Sequence, residues 1–453
     1  MARLFGTDGV RGIANSFDLS PELAYRLGRA GAYLLVAQAF GQDTRPRVVV
    51  GKDPRRSGDM LEAALIAGVL SAGADVVRVG VVTTPAVAFL VRNLGAQAGV
   101  MISASHNPAE YNGIKFFSSE GYKLPDELED QVEALVHHLP DDLPHPTGAG
   151  IGRLIEGSRL VQHYVDYLVG TASSRFEGLR LVVDCANGSA SHLAPEVYRQ
   201  LGAEVIPLFA EPDGLNINQG CGSTHPEVIT RAVLEHGAHA GLAHDGDADR
   251  VLLADEKGRL VDGDQVLVIC GLDLMAQGKL AHNTVCGTVL SNLGLDLAMS
   301  GRGGRVIKAP VGDRYVLEEM RRHGLNLGGE QSGHVIFLDH TTTGDGILTA
   351  VQVLSVMART RHHLSELADQ MRRFPQVQVN VRVTDKSLVN ENRNITLAVR
   401  QAEERLGEVG RVLVRPSGTE PLVRVMLEGP DAAALETLAG ELAEVIRREL
   451  GDE

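Results

Sequence analysis

Residues 103–108 combine a hydroxyl group with a chain-breaking turn, in the order Ser-Ala-Ser-His-Asn-Pro. The apolar run at residues 99–102 before them is typical of a buried strand, and Asn107-Pro108 ends that strand. Ser105 is therefore expected at a strand end, where active-site residues collect, and we interpret it as a candidate nucleophile. The simpler alternative is a turn whose hydroxyl binds a nearby backbone group.

A serine hydrolase is a poor match for this segment. The Gly-x-Ser-x-Gly pattern of a nucleophile elbow is absent. His106 is next to Ser105 in sequence, but adjacency alone does not place its imidazole where it can act as a base. We keep His106 as a candidate catalytic residue and expect some other arrangement to activate Ser105.

Alternating carboxylates form the strongest signal, in the segment Asp-Gly-Asp-Ala-Asp-Arg at residues 245–250. In an extended or tightly turned backbone, alternate side chains converge on one side. Three such carboxylates would repel one another without a cation. A hard divalent ion suits oxygen ligands, and we predict Mg²⁺, one per site, because it leaves coordination positions for a phosphate oxygen. The predicted ligands are Asp245, Asp247 and Asp249.

Two other interpretations of this segment remain open, an acidic surface turn and a calcium-binding EF-hand loop. Glu256 supports the EF-hand interpretation, because it is the twelfth residue counted from Asp245. Two features argue against the EF-hand interpretation. Arg250 occupies the position at which that loop needs glycine, and a strand pattern follows where an EF-hand has a helix.

A glycine-rich segment at residues 328–334 has the sequence Gly-Gly-Glu-Gln-Ser-Gly-His. The carboxylate of Glu330, the hydroxyl of Ser332 and the imidazole of His334 are suited to binding the hydroxyl groups of a sugar. A glycine-rich hairpin without a function explains the same residues equally well.

The last polar segment, residues 415–421, has the sequence Arg-Pro-Ser-Gly-Thr-Glu-Pro, and a predicted strand follows it. Free backbone N–H groups, two hydroxyls and guanidinium groups make a plausible phosphate cradle. It is not a P-loop, because the Gly-Lys-Ser/Thr ending is missing. The candidate phosphate ligands are Arg415, Ser417, Gly418, Thr419 and Arg424.

Predicted helices and strands alternate along most of the chain, beginning with a helix near residues 20–39 and a strand at residues 48–50. Such alternation favours α/β domains. Lys115 falls in a short predicted strand, where a lysine can also be an edge residue that extends its amine to solvent. The length of 453 residues requires several cores. We predict four domains, at residues 1–152, 153–255, 256–373 and 374–453.

Charge and composition exclude several classes of protein. The formal net charge of −15 disfavours nucleic acid and anionic membranes as partners, and no Trp is present to stack on bases. No signal peptide or long apolar span is found, so a cytoplasmic location is expected. The four cysteines include no Cys-x-x-Cys pair, which argues against a zinc ribbon or a redox site. Small molecules are the expected partners.

The four polar segments suit one reaction when they are taken together. A serine can accept a phosphoryl group, carboxylates can hold a metal that neutralises its charge, and the remaining two segments can bind a sugar and a phosphate. Their combination predicts phosphoryl transfer on a phosphosugar.

These four segments, in this order, resemble the motifs of the α-D-phosphohexomutase family over almost the whole chain. The resemblance implies three similar mixed-sheet α/β domains plus a smaller α+β C-terminal domain around a central cleft. It also implies that Ser105 is phosphorylated and that an oxygen of the phosphoserine joins the metal. Arg11 and Arg250 would face the phosphoserine, and Lys115 and His334 match positions proposed for proton transfer.

Within this family, residues 6–12, 216–227 and 375–383 resemble the branch that acts on glucosamine phosphates. The implied reaction interconverts glucosamine 6-phosphate and glucosamine 1-phosphate through a 1,6-bisphosphate, which feeds UDP-N-acetylglucosamine synthesis. An activating kinase or a sugar bisphosphate would first phosphorylate Ser105, and a homodimer is a further expectation. A sibling mutase for mannose or glucose phosphates is one alternative. A non-catalytic sensor is the other, and it would be expected to have a damaged nucleophile or metal segment.

Overall fold

The computed structural model describes residues 3–6, 8–36, 45–137, 143, 145–417 and 421–451 of the chain. The chain divides into two compact units. One comprises residues 1–290 and 307–369, and the other comprises residues 291–306 and 370–453.

The first sheet is mixed, with six strands in the spatial order β1-β5-β4-β2-β3-β6. Strands β4, β2, β3 and β6 run parallel, whereas β5 and β1 are antiparallel to their neighbours. The buried parts of β2 and β4 are runs of apolar residues, as expected when helices cover a sheet, whereas β5 also buries Asn112 and Lys115. The strands are β1 (Val10–Ile13), β2 (Arg47–Lys52), β3 (Asp75–Val81), β4 (Ala98–Ile102), β5 (Tyr111–Ser118) and β6 (Leu154–Glu156), and the helices are α1 (Pro21–Val36), α2 (Ser57–Ser71), α3 (Thr84–Asn93) and α4 (Asp126–His137).

A helix pair covers one face of this sheet. Leu27 of α1 and Leu61 and Leu65 of α2 are fully buried in one cluster with Val50 and Val100 of the sheet. Burial of an apolar side chain of this size stabilises the fold by about 1.5–3 kcal/mol. The packing fixes the end of β4, from which Ser105 projects.

The second sheet has the order β11-β10-β9-β7-β8 and is also mixed. Strands β9, β7 and β8 are parallel, and β10 returns antiparallel to β9. His244 pairs with Val251, so the six residues between them form the loop that carries the three aspartates. The strands are β7 (Arg180–Asp184), β8 (Glu204–Leu208), β9 (Ala240–His244), β10 (Val251–Asp255) and β11 (Leu260–Val261), and the helices are α5 (Val161–Thr171), α6 (Ala190–Gln200) and α7 (Pro226–His236).

The third sheet has the order β13-β12-β14-β15. Strands β12 and β14 are parallel, and β14 and β15 form an antiparallel hairpin that carries residues 330–334. The strands are β12 (Thr284–Thr288), β13 (Arg305–Ala309), β14 (Leu327–Gly329) and β15 (Val335–Phe337), and the helices of this stretch are α8 (Gly263–Ala276), α9 (Leu293–Ser300), α10 (Asp313–His323), α11 (Gly346–Thr360) and α12 (Leu364–Ala368).

The fourth sheet is antiparallel, with the order β16-β18-β17. Val425 and Leu427 of its central strand are buried against Leu438 and Leu442 of the last helix. The strands are β16 (Gln376–Arg382), β17 (Arg411–Pro416) and β18 (Leu422–Glu428), and the helices are α13 (Arg393–Leu406) and α14 (Ala432–Leu450).

The predicted fold class is confirmed, with three mixed α/β sheets and a smaller antiparallel C-terminal one. The four domain boundaries stay a prediction. Strand β6 lies beyond the boundary at residue 152 and still pairs with β3, and β11 lies beyond the boundary at residue 255 and still pairs with β10. Among the described residues, no helix is both long and apolar enough to cross a membrane.

A charged cluster joins helix α4 to the start of α10. Arg314 donates hydrogen bonds to the carbonyl of Leu124 and the carboxylate of Asp126, and it lies 3.3 Å from Glu129. Glu129 is only 6% exposed. Burial raises the pKa of Glu129 to about 7, although the charges of Arg314 and Arg3 oppose this increase.

Replacing Glu129 with Gln should change how stability depends on pH. A carboxyl whose pKa is raised on folding binds its proton more tightly in the folded chain, so the free energy of unfolding falls as pH rises from about 5 to about 8. We expect Glu129→Gln to remove on the order of 2 kcal/mol of this decrease, measured by urea unfolding at both pH values. Glu127→Gln, on the exposed side of the same helix, is the control. Equal pH dependence in the wild-type protein and Glu129→Gln would contradict this expectation.

Candidate active site

Ser105 lies in the connection between β4 and β5, with its backbone in the left-handed region at φ +51°. The residue is buried, and its hydroxyl donates a 2.6 Å hydrogen bond to Oδ2 of Asp245. The structure therefore brings the predicted nucleophile and the aspartate loop together across 140 residues of sequence.

Asp245, Asp247 and Asp249 are all buried, and one candidate ligand atom from each lies within 4.8 Å of the others. Within the described part of the chain, Oδ1 of Asp247 and Oδ1 of Asp249 are buried without a hydrogen-bond partner. Buried acceptors of this kind are rare in proteins unless something else binds them. The three aspartates therefore fit a divalent cation, which prefers such oxygen ligands.

Electrostatics supports the same interpretation. Burial, together with the charges of Asp249 and Asp247, raises the pKa of Asp245 well above its ordinary value. Three carboxylates in one buried site thus repel one another strongly, and a bound cation removes this repulsion.

Lys115 is not an edge residue that reaches solvent, because its side chain is only 2% exposed. Its Nζ lies 2.8 Å from Oδ2 of Asp247 and 2.9 Å from Oδ2 of Asp8. Thr84 also donates a 2.6 Å hydrogen bond to Asp247. Burial alone would raise the pKa of Asp247, but the charge of Lys115 and the hydrogen bonds from Lys115 and Thr84 together outweigh burial and hold that pKa below its ordinary value.

A chain of alternating charges continues from Lys115 to His334. Asp8 accepts from Lys123 at 2.6 Å, and Lys123 also donates to the carboxylate of Asp313. Oδ2 of Asp313 lies 3.5 Å from Nε2 of His334. The two side chains predicted to transfer protons are therefore linked through three charged residues.

Arg11 and Arg250, which are predicted to face the phosphoserine, add positive charge to this site. Arg11 donates to Asp8, and Nε of Arg250 lies 3.8 Å from Oδ1 of Asp249. In the described part of the chain, Nε of Arg11 and Nε of Arg250 are buried without a hydrogen-bond partner, which suits them to an anionic group. His106 Nδ1 is 3.4 Å from the Ser105 hydroxyl, and burial, with the charges of Arg250 and Arg11, lowers the pKa of His106 to about 4.

The hairpin between β14 and β15 presents its three candidate sugar ligands differently. Glu330 accepts a 3.1 Å hydrogen bond from the backbone N–H of Gly312, and Ser332 is exposed. His334 is buried, and among the described residues neither of its ring nitrogens has a hydrogen-bond partner. Nδ1 of His334 is therefore available to a ligand, whereas Nε2 already lies 3.5 Å from Oδ2 of Asp313.

The C-terminal unit holds the described part of the predicted phosphate cradle. Arg415 and Arg424 face each other across β17 and β18, and burial, together with the charge of Arg424, lowers the pKa of Arg415. Two adjacent guanidinium groups favour an anion between them. Lys386 donates a 2.6 Å hydrogen bond to the carbonyl of Ser417. Gly418 and Thr419 lie outside the described residues.

Sequence reasoning missed several residues that surround the nucleophile. The basic loop at residues 51–58 contains Arg55, which is 1% exposed and donates to the Ser105 carbonyl. Asp53, Arg55 and Thr84 follow strands β2 and β3, and this position is the signal that could have pointed to them. The missed residues of the first unit are Asp8, Asp53, Arg55, Thr84, Lys123, Asn218 and Asp313, and Lys386 is the residue missed beside Ser417 in the C-terminal unit.

Four family models match the chain and together cover most of it. They are described as phosphoglucomutase/phosphomannomutase alpha/beta/alpha domains I, II and III, which match residues 2–141, 162–258 and 262–374, and the C-terminal domain, which matches residues 379–445.

Curated relatives match over nearly the full length. The phosphoglucosamine mutase of Symbiobacterium thermophilum is 59% identical over 450 residues, covering 99% of this chain and 100% of the relative. The phosphoglucosamine mutase of Carboxydothermus hydrogenoformans is 57% identical over 448 residues, with coverage of 99% and 100%.

Solved structures with the same fold include a phosphoglucomutase/phosphomannomutase family protein of Burkholderia thailandensis. It is 26% identical, with a TM-score of 0.82, and the match covers 98% of this chain and 97% of that one. Aspergillus fumigatus N-acetylphosphoglucosamine mutase, in complex with GlcNAc-6P and magnesium, is 19% identical with a TM-score of 0.70 and coverage of 98% and 95%. At that identity the likeness concerns the fold alone.

Proposed function

This chain belongs to the phosphoglucomutase/phosphomannomutase family, and we propose that it interconverts glucosamine 6-phosphate and glucosamine 1-phosphate as an intramolecular phosphotransferase of the isomerase class. The observation that carries the proposal is the 2.6 Å hydrogen bond from the Ser105 hydroxyl to Asp245, at the edge of three buried carboxylates. A hydroxyl so placed beside a predicted metal site is suited to carry a phosphoryl group.

In the proposed reaction, phosphorylated Ser105 donates its phosphoryl group to the free hydroxyl at C1 of glucosamine 6-phosphate. The bond from phosphorus to the sugar oxygen forms, the bond to Oγ of Ser105 breaks, and the sugar hydroxyl loses its proton to a base. The resulting 1,6-bisphosphate turns over within the site. The 6-phosphoryl group then returns to Ser105: the bond from phosphorus to Oγ forms, the bond to O6 of the sugar breaks, and O6 gains a proton while Oγ loses one, which restores the phosphoserine.

Each group of residues has a proposed role in these steps. Asp245, Asp247 and Asp249 would hold Mg²⁺, whose positive charge stabilises the transferring phosphoryl group when it is bound. Arg11 and Arg250 would bind the phosphoserine oxygens, with His106 beside them. Glu330 and Ser332 would bind sugar hydroxyls. Lys115 and His334 are the proposed proton-transfer groups, and Arg415, Ser417 and Arg424 would bind the phosphate that is not reacting.

The wider setting is part of the same proposal. Glucosamine 1-phosphate would feed UDP-N-acetylglucosamine synthesis, for which the cytoplasm is the proposed location. A kinase or a sugar bisphosphate would phosphorylate Ser105 for the first time, and the chain would act as a homodimer. A non-catalytic sensor is disfavoured because Ser105 and all three aspartates are present.

A comparison of substrates tests the proposed function. Phosphorylated protein with Mg²⁺ should turn over glucosamine 6-phosphate with a kcat/KM about 10-fold to 200-fold above that for glucose or mannose 6-phosphate, since one or two loop contacts can shift discrimination among hexoses by this much. Formation of each 1-phosphate is measured by ³¹P NMR. A preference for glucose or mannose phosphate would instead assign the chain to a sibling branch.

A further inference from the structure

The peptide groups on both sides of the Ser105 α-carbon are held by buried side chains that the proposed reaction does not use. We propose that Asp53, Arg55, Ser103 and Asn218 form a clamp that fixes the Ser105 hydroxyl for phosphoryl transfer. This inference rests on the proposed role of Ser105 as the phosphoryl carrier. The four members, named here the Ser105 clamp, are positioning residues and do not touch the reacting atoms.

Arg55 is the centre of the Ser105 clamp. Its Nη2 donates to the carbonyls of Ser105 at 2.9 Å and Asn107 at 2.8 Å. Its Nη1 donates to the carbonyl of Tyr111 at 3.0 Å and to that of Pro108. Its Nε donates to Oδ2 of Asp53 at 2.8 Å. All five N–H groups of the guanidinium are therefore occupied, four of them by backbone carbonyls of residues 105–111.

Asp53 and Ser103 extend the clamp to the amide of Ser105. That N–H donates a 3.0 Å hydrogen bond to the Ser103 hydroxyl, which in turn donates to Oδ2 of Asp53 at 2.6 Å. Asp53 is fully buried and balances the charge of Arg55. The N–H and the carbonyl of Ser105 are thus both connected to one buried ion pair.

Asn218 donates hydrogen bonds to the same two carbonyls as Nη2 of Arg55. Its Nδ2 donates to the carbonyls of Ser105 at 2.8 Å and Asn107 at 3.0 Å. The aspartate loop also leaves no space there, because a Cβ added at Gly246 would lie 2.5 Å from the Ser105 oxygen. The Ser105 peptide is therefore confined between Arg55, Asn218 and the loop that carries the predicted metal ligands.

Two features point to positioning as the purpose of these contacts. Ser105 has a φ of +51°, a conformation that serine holds only when its surroundings enforce it. In addition, the proposed reaction uses the same hydroxyl twice, first toward one end of the sugar and then toward the other. A displacement of about 1 Å can slow such a transfer by about 100-fold, so the position must be the same in both steps.

Asn218→Asp is the sharpest test, because it keeps size and shape but replaces the donor that faces two carbonyls with an acceptor. Ser103→Ala and Arg55→Lys remove other members of the clamp. The matched control is Arg56→Lys, at the exposed neighbour of Arg55. Folding of every variant is first verified by thermal unfolding, and rates are divided by the folded fraction.

We expect kcat to fall about 10-fold to 100-fold in Asn218→Asp and Ser103→Ala, with KM and the Mg²⁺ requirement almost unchanged, because only the position of the phosphoryl group is disturbed. Arg56→Lys should match the wild-type protein. A wild-type kcat in folded Asn218→Asp and Ser103→Ala would overturn the proposal. A decrease in kcat that disappears when rates are divided by the folded fraction would overturn it as well.

A second readout separates failure of the clamp from failure of the proposed function. The ³¹P NMR line of phosphoserine 105 is recorded without any sugar, in the wild-type protein, Asn218→Asp and Arg56→Lys. The clamp predicts a shifted or broadened line in Asn218→Asp alone. An unchanged line would overturn the clamp even if the wild-type protein turns over glucosamine phosphate. A changed line would support it even if another hexose proves to be the substrate.

Discussion

Replacement of Ser105 with Ala is expected to lower kcat by at least about 10⁴-fold, because the chain then lacks the oxygen that carries the phosphoryl group between steps. The fold should persist, since the substitution removes one hydroxyl whose hydrogen bond is to a carboxylate of the predicted metal site. Turnover of glucosamine 6-phosphate is measured with glucosamine 1,6-bisphosphate present, so that priming does not limit the rate.

The matched control is Ser332→Ala, since Ser332 is exposed and is proposed only to bind a sugar hydroxyl. That variant should lose about 10-fold in kcat/KM and keep most of its kcat. Ser105→Ala should also show no mass increase after incubation with the bisphosphate, whereas the wild-type protein and Ser332→Ala should gain one phosphoryl group. Undiminished turnover in Ser105→Ala would refute Ser105 as the carrier.

Removal of the divalent cation is expected to have the second-largest effect. Dialysis against a chelator should lower kcat by about 10³-fold, since a metal ion commonly supplies several kcal/mol of transition-state stabilisation in phosphoryl transfer. Addition of Mg²⁺ should restore the rate. The three buried carboxylates repel one another when no cation is bound. Two of them also have an oxygen without a hydrogen-bond partner among the described residues.

Asp249→Asn tests which residues hold this ion. It should weaken Mg²⁺ binding at least about 10-fold, measured by isothermal titration calorimetry, because the site loses a charged ligand. Asp166→Asn is the control, since Asp166 lies exposed on helix α5. Full activity in the chelator, or equal Mg²⁺ affinity in the wild-type protein and Asp249→Asn, would exclude the aspartates as the metal site.

Much of the candidate site could be predicted because its chemistry is local in sequence. Asp245, Asp247 and Asp249 are two residues apart, so one loop brings them together whatever the rest of the fold does. Ser105 could be identified because an apolar strand precedes it and a proline follows. In both cases the residues on which the prediction depends lie within one short segment of the sequence.

Contacts between distant segments could not be predicted in this way. Lys123 binds Asp8 and Asp313, which are 115 and 190 residues away, and neither pairing has a local signature. Arg55 stands in a basic loop after a strand, and such a loop is usually solvated, so nothing local marks this side chain as buried. The carbonyls that bury it belong to residues 105–111, and only the tertiary structure brings them to its guanidinium.

The fold class was predictable from the alternation of strands and helices, but the edges of the sheets were not. Strand β6 has three residues, all exposed, so no hydrophobic pattern marks it. Helix α12 has only five residues and ends at Ala368, because Asp369 is its C-cap and the chain turns there. Burial decides such boundaries, and burial follows from packing between segments.

Transfer of a labelled phosphoryl group in a single turnover tests the proposed mechanism most directly. Protein labelled with ³²P at Ser105 is mixed with excess unlabelled glucosamine 6-phosphate and Mg²⁺, and the products are separated over time. The label should pass from the protein to glucosamine 1,6-bisphosphate and then to glucosamine 1-phosphate, at a rate no slower than kcat. Label that stays on Ser105 while glucosamine 1-phosphate accumulates, or that appears only as inorganic phosphate, would contradict a phosphoserine carrier.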